Sequence, residues 1–180
     1  MPSAARRSPA VRLLEPAGLP DMLLYRLNRL RAVGGGMVLR FCEGRFGVTR
    51  REWVMLALLS SGDALQPSEL AQRAELDRSA TSKAITGMVN KGLVERSVLP
   101  GNRRIAMLRL TEAGQGLYQQ ILPLVDGVNR ELMAGLSERE ITALDSMLER
   151  MQHQAEGMAL RLAQLPRADR RRGGARRLRP

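Results

Sequence analysis

Polar and cationic side chains fall on one side of the segment 78–91, which is predicted to be a helix. At about 100° per residue, one half of the helix is apolar and contains Ala80, Ala84, Ile85, Met88 and Val89. The other half has no acid and contains Ser79, Ser82, Lys83, Thr86 and Asn90. Short polar side chains can hydrogen-bond base edges in a DNA major groove, and Arg78 and Lys83 can pair with phosphates. This helix alone leaves an ordinary solvated face as the alternative.

A β-hairpin is predicted directly after this helix. The segments 94–98 and 105–110 are β-compatible, and Pro100-Gly101-Asn102 between them is typical of a turn. Arg103 and Arg104 stand at the start of the returning strand. Arginines at a hairpin tip can enter a minor groove, where the negative potential is strongest when the groove is narrow.

Capping residues mark the helices around this pair of motifs. Thr49 and Glu52 form a predicted capping box before an apolar helix over 53–60. Pro67 suits the first position of a short helix, and Asp77 is a predicted N-cap for the helix that Gly92 ends. Two short helices joined by about three residues predict a helix-turn-helix.

Longer helices are predicted on both flanks. The first, 19–46, carries Leu23 and Leu27 and is expected to bend or break at Gly34-Gly35-Gly36. The second covers 112–134, with Thr111 as its cap and a kink at Pro123. The third opens at a Ser137–Glu140 capping box and carries an apolar seam at heptad spacing: Ile141, Leu144, Leu148, Met151, Ala155, Met158, Leu162 and Leu165. Such a seam predicts packing along another helix.

Composition excludes several classes of protein. The 180 residues carry a net charge of +11, and residues 166–180 alone hold seven Arg against one Asp. One Cys and one His exclude a disulfide framework and the common Cys- or His-based metal centres. No motif of an enzyme, metal site or cofactor site is present, and no apolar run approaches the roughly 20 residues of a membrane helix. We expect a cytoplasmic protein without cofactor, metal or membrane partner.

Three residues could have a functional role, in redox sensing or effector binding, in addition to ordinary core packing. Cys42 lies near Arg40 and Arg45, which could activate it for redox sensing, although a lone Cys is more often a small buried hydrophobe. Trp53 and Phe41 could form the wall of an effector pocket, although core packing is the simpler expectation for Trp53.

Several short stretches resemble the MarR family of winged-helix transcription regulators. They are Leu70-Ala71, Asp77-Arg78-Ser79, Lys91 to Arg96, Asn102-Arg103-Arg104 and Leu110-Thr111 with Gly114. The resemblance implies a recognition helix at 78–91, a wing at 94–110, a homodimer and a pseudo-palindromic operator. It also implies an effector pocket between the dimerisation helices and the DNA-binding lobe. Arg104 matches the family's minor-groove arginine, while Asn102 stands where the family usually has Asp.

The predicted fold is mainly α (α+β): a winged helix-turn-helix with long flanking helices that form a dimerisation region. Residues 49–111 would be the DNA-binding lobe and 19–48 with 112–165 the dimerisation helices, between disordered basic ends at 1–18 and 166–180. The predicted function is a homodimeric, sequence-specific repressor of transcription, released from double-stranded DNA by an aromatic or phenolic effector. A basic RNA- or ribosome-associated protein that binds through its Arg-rich tails is the alternative.

Overall fold

The computed structural model describes residues 8–99, 102–159, 161 and 164–165. The chain forms two compact units, Met1–Leu132 and Met133–Pro180. A short helix, α1 (Pro9–Leu14), lies within the segment 1–18 that was predicted to be disordered. The Arg-rich segment 166–180 lies outside the described residues. No helix in the described part of the chain is long and apolar enough to cross a membrane.

The first long helix does not break at its three glycines. A 3-10 turn (Leu19–Asp21) precedes α2 (Leu23–Leu39), which runs unbroken through Gly34–Gly36. The irregularity comes later, in a π-helical segment (Arg40–Arg45), and the chain turns at Gly47 with φ +64°. Of the predicted bend or break, the break does not occur: Gly34, the one buried residue of α2, packs closely on Leu132, and packing overrides helix propensity.

Local capping fixes the three helices that follow. Helix α3 (Arg50–Leu59) begins with the predicted capping box: Thr49 N donates to Glu52 Oε2 at 2.7 Å, and Glu52 N donates to Thr49 Oγ1 at 3.2 Å. Helix α4 (Pro67–Arg73) has proline in its first turn. Helix α5 (Arg78–Asn90) is capped by Asp77 Oδ1, which accepts from Ala80 N at 2.8 Å. The predicted helix-turn-helix is therefore confirmed.

A two-stranded antiparallel hairpin completes the lobe. Strand β1 (Val94–Leu99) pairs with β2 (Asn102–Leu110), with Val94 opposite Leu110 and an irregularity between Val98 and Leu99. Leu108 also bridges to Leu65, which ties the hairpin to the chain between α3 and α4. The core of the lobe contains Met55, Leu56, Leu59, Leu70, Ile85, Met88 and Leu108, all essentially inaccessible to solvent.

Helix α6 (Glu112–Met133) follows the hairpin and continues through Pro123. Thr111 Oγ1 accepts from Gly114 N at 3.0 Å, which confirms the predicted cap. A Cβ at Gly114 would overlap the carbonyl oxygen of Leu93, so only glycine permits this approach between α6 and the lobe. Trp53 of α3 stacks on Tyr118 of α6, with ring centroids 5.5 Å apart.

Helix α7 (Glu138–Ala159) lies in the second unit. Ser137 N donates to Glu140 Oε2 at 2.8 Å, as the predicted capping box requires. The helix ends earlier than the seam predicted: Leu165 lies beyond it, and Leu162 is outside the described residues.

Candidate nucleic-acid interface

Helix α5 has a buried side and an exposed side. Thr81, Ala84, Ile85 and Met88 are buried against the core of the lobe. All six residues of α5 predicted to contact DNA are exposed: Arg78, Ser79, Ser82, Lys83, Thr86 and Asn90. Val89 departs from the predicted pattern, because 38% of it is accessible although it was assigned to the apolar half.

The exposed side of α5 forms a shallow concave surface. Its lining consists of Arg78, Ser79, Ser82, Lys83 and Thr86. Thr86 Oγ1 donates to the carbonyl oxygen of Ser82 at 2.9 Å, which leaves the Thr86 hydroxyl as an acceptor and its methyl group free for apolar contact. Neither Arg78 nor Lys83 forms an ion pair within the described residues, so both cations are available to an external anion.

The wing adds a cation that the sequence prediction missed. Arg96 on β1 is exposed, and it lines a second groove together with Arg78 and Ser82. The available signal was its position in the predicted strand 94–98, which directly follows the recognition helix along the chain. The backbones of Arg103 and Arg104 lie in β2 as predicted, while their side chains are outside what the structure describes.

An ion pair fixes the end of α5 to the start of α3. Lys91 Nζ lies 2.7 Å from Glu52 Oε2 and donates to the carbonyl oxygen of Gly47 at 2.9 Å. Lys91 is the C-cap residue of α5, where a positive charge is favoured by the helix dipole. The sequence predicted Glu52 only as a cap. Nothing in the sequence indicated its second partner.

A cleft of about 670 Å³ separates α2 from the helix-turn-helix. Gly35, Gly36 and Leu39 of α2 contribute to it, as do Thr49 to Glu52 and, from α5, Ala80, Lys83, Ala84 and Gly87. Its cations are Arg31, Arg50, Arg51, Lys83 and Lys91, against Glu43 and Glu52. The predicted pocket residues Trp53 and Phe41 are not among those that line it. Trp53 is instead part of the core.

Cys42 is fully buried in the π-helical segment. Burial, and to a lesser degree the neighbouring charge of Glu43, raises the pKa of its thiol. Because the thiolate is the reactive form, this environment favours the simple structural role over redox sensing.

The residues predicted to form dimer contacts are largely uncovered. Leu23 and Leu27 on α2 are exposed, as are Ile141, Leu148, Met151 and Met158 on α7, and Leu144 is half-buried. No residue of α7, which is described throughout, is buried.

Curated relatives are regulators of transcription. The chain is 27% identical over 131 residues to the uncharacterized HTH-type transcriptional regulator YdgJ of Bacillus subtilis (strain 168), covering 73% of this chain and 77% of that protein. It is 31% identical over 108 residues to a putative transcriptional regulatory protein for the hcr operon of Thauera aromatica, covering 60% and 65%.

Solved structures share the fold. A MarR family transcriptional regulator from Silicibacter pomeroyi superposes with a TM-score of 0.66 at 28% identity, over 77% of this chain and 92% of that one. Two more distant structures, both 19% identical with a TM-score of 0.68, are similar in fold. One is the S. aureus MepR–DNA complex, covering 74% of this chain and 98% of that one. The other is Bordetella bronchiseptica BpsR, whose DNA binding is regulated by 6-hydroxynicotinic acid, covering 76% and 97%.

A helix-turn-helix with an exposed cationic helix, followed by a β-hairpin, defines a winged-helix DNA-binding protein. The family model for the MarR family matches residues 46–105, which include α3, α4, α5 and most of the hairpin. The resemblance to the MarR family of transcription regulators that the sequence predicted is therefore confirmed by the comparisons.

Proposed function

We propose that this protein is a homodimeric, sequence-specific repressor that binds a pseudo-palindromic operator and leaves it when a small effector binds. The observation that carries the proposal is the exposed side of α5, where short polar side chains lie beside Arg78 and Lys83, which have no ion-pair partner among the described residues. The polar side chains can hydrogen-bond base edges while the cations contact phosphates. We propose a binding protein rather than an enzyme, because its family consists of transcription regulators.

Each residue of the interface has a proposed role. Ser79, Ser82, Thr86 and Asn90 would meet base edges in the major groove, while Arg78 and Lys83 would contact phosphates. Arg103 and Arg104 of the wing would reach the minor groove. With two copies related by a two-fold axis, the α5 helices would enter successive major grooves, with half-sites about 10 bp apart.

The exposed apolar residues of α2 support the homodimer. Leu24, Leu30 and Val33 are 78%, 61% and 76% accessible, which is unusual for large apolar side chains of one helix. Leu30 shares one side of α2 with the exposed Leu23 and Leu27, and an apolar row of this kind favours a protein interface. The uncovered seam of α7 supports the same conclusion, and a second copy of the chain offers complementary apolar surfaces.

The cleft beside α2 supports an effector that carries negative charge. Arg31, Arg50, Arg51 and Lys83 have no ion-pair partner in the described part of the chain. The negative charge of an aromatic carboxylate or phenolate would pair with these cations, and its ring would pack against Leu39. The effector would release DNA only by binding better to a dimer whose α5 helices misfit the operator.

Selection of bound fragments from random duplex DNA, followed by footprinting, tests the proposal. We expect an inverted repeat whose half-site centres lie about 10 bp apart. Failure to enrich any duplex contradicts the proposal. Binding that ignores duplex sequence and disappears when residues 166–180 are deleted favours the RNA-associated alternative instead.

A further inference from the structure

An ion pair between the buried Glu52 and the exposed Lys91 connects α3 to α5. Lys91 Nζ lies 2.7 Å from Glu52 Oε2, and Glu52 is 4% accessible. Desolvation of the Glu52 carboxylate offsets part of the attraction, and ion pairs with an exposed partner contribute little to stability. A gain in stability is therefore a weak reason for a charge pair at this position.

The carboxylate of Glu52 joins three segments of the chain. Its Oε2 accepts from Thr49 N at 2.7 Å and from Lys91 Nζ, and the same ammonium group donates to the carbonyl oxygen of Gly47 at 2.9 Å. Gly47 follows the π-helical segment, Thr49 begins α3, and Lys91 caps α5. The position of Lys91 therefore depends on the path of the chain at residues 47–49.

Glu52 also contacts α5 one turn before Lys91. A Cβ at Gly87 would lie 2.6 Å from Glu52 Oε1, so glycine is needed for this approach. Gly87 and Lys91, four residues apart, share one side of the helix, roughly a quarter turn from the buried Thr81 and Met88. Apolar packing holds one side of α5 and Glu52 holds the adjacent side. Together these contacts fix the rotation of α5 about its own axis.

We propose that Glu52 is a positioning residue for DNA recognition, which sets the rotation of α5 through Lys91 and Gly87 and so decides how its exposed side chains face the bases. The inference rests on the proposed sequence-specific binding. A phosphate contact requires only a cation within reach, whereas a base contact requires a fixed side-chain direction. Losing the Glu52 contacts therefore lowers sequence preference more than general affinity for DNA.

The full-length Glu52→Gln variant tests this, because it removes the charge while keeping the shape of the side chain. Two probes are needed: a duplex enriched by the wild-type protein and a scrambled duplex of equal length and composition. We expect the ratio of the two affinities to fall by about tenfold, the size of one lost base contact. Glu69→Gln is the matched control, since Glu69 caps α4 by accepting from Gln66 N at 2.8 Å but has no cation partner in the described residues.

Gly87→Ala provides a second, independent variant. Alanine favours helix more than glycine does, yet its Cβ would displace Glu52 Oε1. We expect the same fall in the affinity ratio, with the helical circular-dichroism signal retained. If Glu52→Gln fails to fold, Gly87→Ala decides the question.

An unchanged affinity ratio in a folded variant overturns the inference, and so does an equal loss on both duplexes. If the wild-type protein enriches no duplex, the proposed function fails first. The positioning role is then judged by hydrogen exchange in Glu52→Gln: faster exchange of the amides of residues 86–91 supports it, and unchanged exchange contradicts it.

Discussion

Gly34 of α2 lies so close to Leu132 of α6 that a Cβ at Gly34 would come within 3.0 Å of Leu132 Cδ1. A Cβ at Gly36, two residues later, would meet no described atom within 4 Å outside its own stretch of helix. A side chain at the first glycine would therefore require Leu132 to shift. The second costs helix stability without such a contact to compensate for it.

Gly36→Ala is expected to stabilise the protein by about 0.5–1 kcal/mol, since alanine loses less conformational entropy in a helix. Gly34→Ala should give no gain, because the contact with Leu132 must first be relieved. Urea unfolding of both variants measures the difference. An equal gain in both would show that the contact at Gly34 imposes no constraint.

Lys83→Ala is expected to weaken binding to selected and unrelated duplexes alike, because its proposed partner is a phosphate. The slope of log affinity against log salt concentration should become shallower by about 0.9. Anisotropy titrations over a range of salt concentrations measure this. Arg130→Ala is the control, since Arg130 is exposed in the last turn of α6 and is not part of the groove. An unchanged slope for Lys83→Ala would remove the phosphate role.

Leu27→Glu is expected to shift the protein toward monomer, because a charge would be buried in the proposed α2 interface at a large desolvation cost. Sedimentation equilibrium should show a dimer dissociation constant raised by at least about tenfold, equivalent to 1.4 kcal/mol. Val54→Glu places the same charge on a comparably exposed residue of α3 and serves as control. A dimer of unchanged strength in Leu27→Glu would exclude this face.

Cys42 is expected to react slowly with thiol reagents at neutral pH in the folded protein and rapidly after denaturation. Burial raises the pKa of the thiol above its ordinary value of 9.0, so the folded state disfavours the thiolate. Above that pH the unfolded chain loses the proton more readily than the folded one, and stability falls as pH rises. Peroxide that released wild-type protein from DNA but left the Cys42→Ser variant bound would contradict the structural role.

The secondary structure of the DNA-binding lobe could be predicted because each helix there begins with its own local signal. The Thr49–Glu52 box, Pro67 and Asp77 satisfy or remove backbone donors within a few residues, whatever the rest of the chain does. The exposed side of α5 followed from helical periodicity for the same reason. The DNA-contacting roles of those side chains remain predictions.

Two features of the flanking helices depended on longer-range effects. The glycines of α2 are poor helix formers, yet the helix continues because Gly34 packs on Leu132. The packing role of the α7 seam remains a prediction, and α7 ends at Ala159, before the last seam residue, Leu165. The spacing of apolar residues predicts which face of a helix is apolar, but it does not predict the residue at which the helix ends.

The amino-acid order alone determined the capped helices and the polar side of α5, because capping and periodicity act over a few neighbouring residues. It also carried the resemblance to the MarR family, through short stretches of residues. Only the folded chain brought Glu52 to Lys91, 39 residues away, and opened the cleft between α2 and α5. Contacts of this kind depend on how the elements pack, and no local pattern encodes the distance between two side chains on different helices.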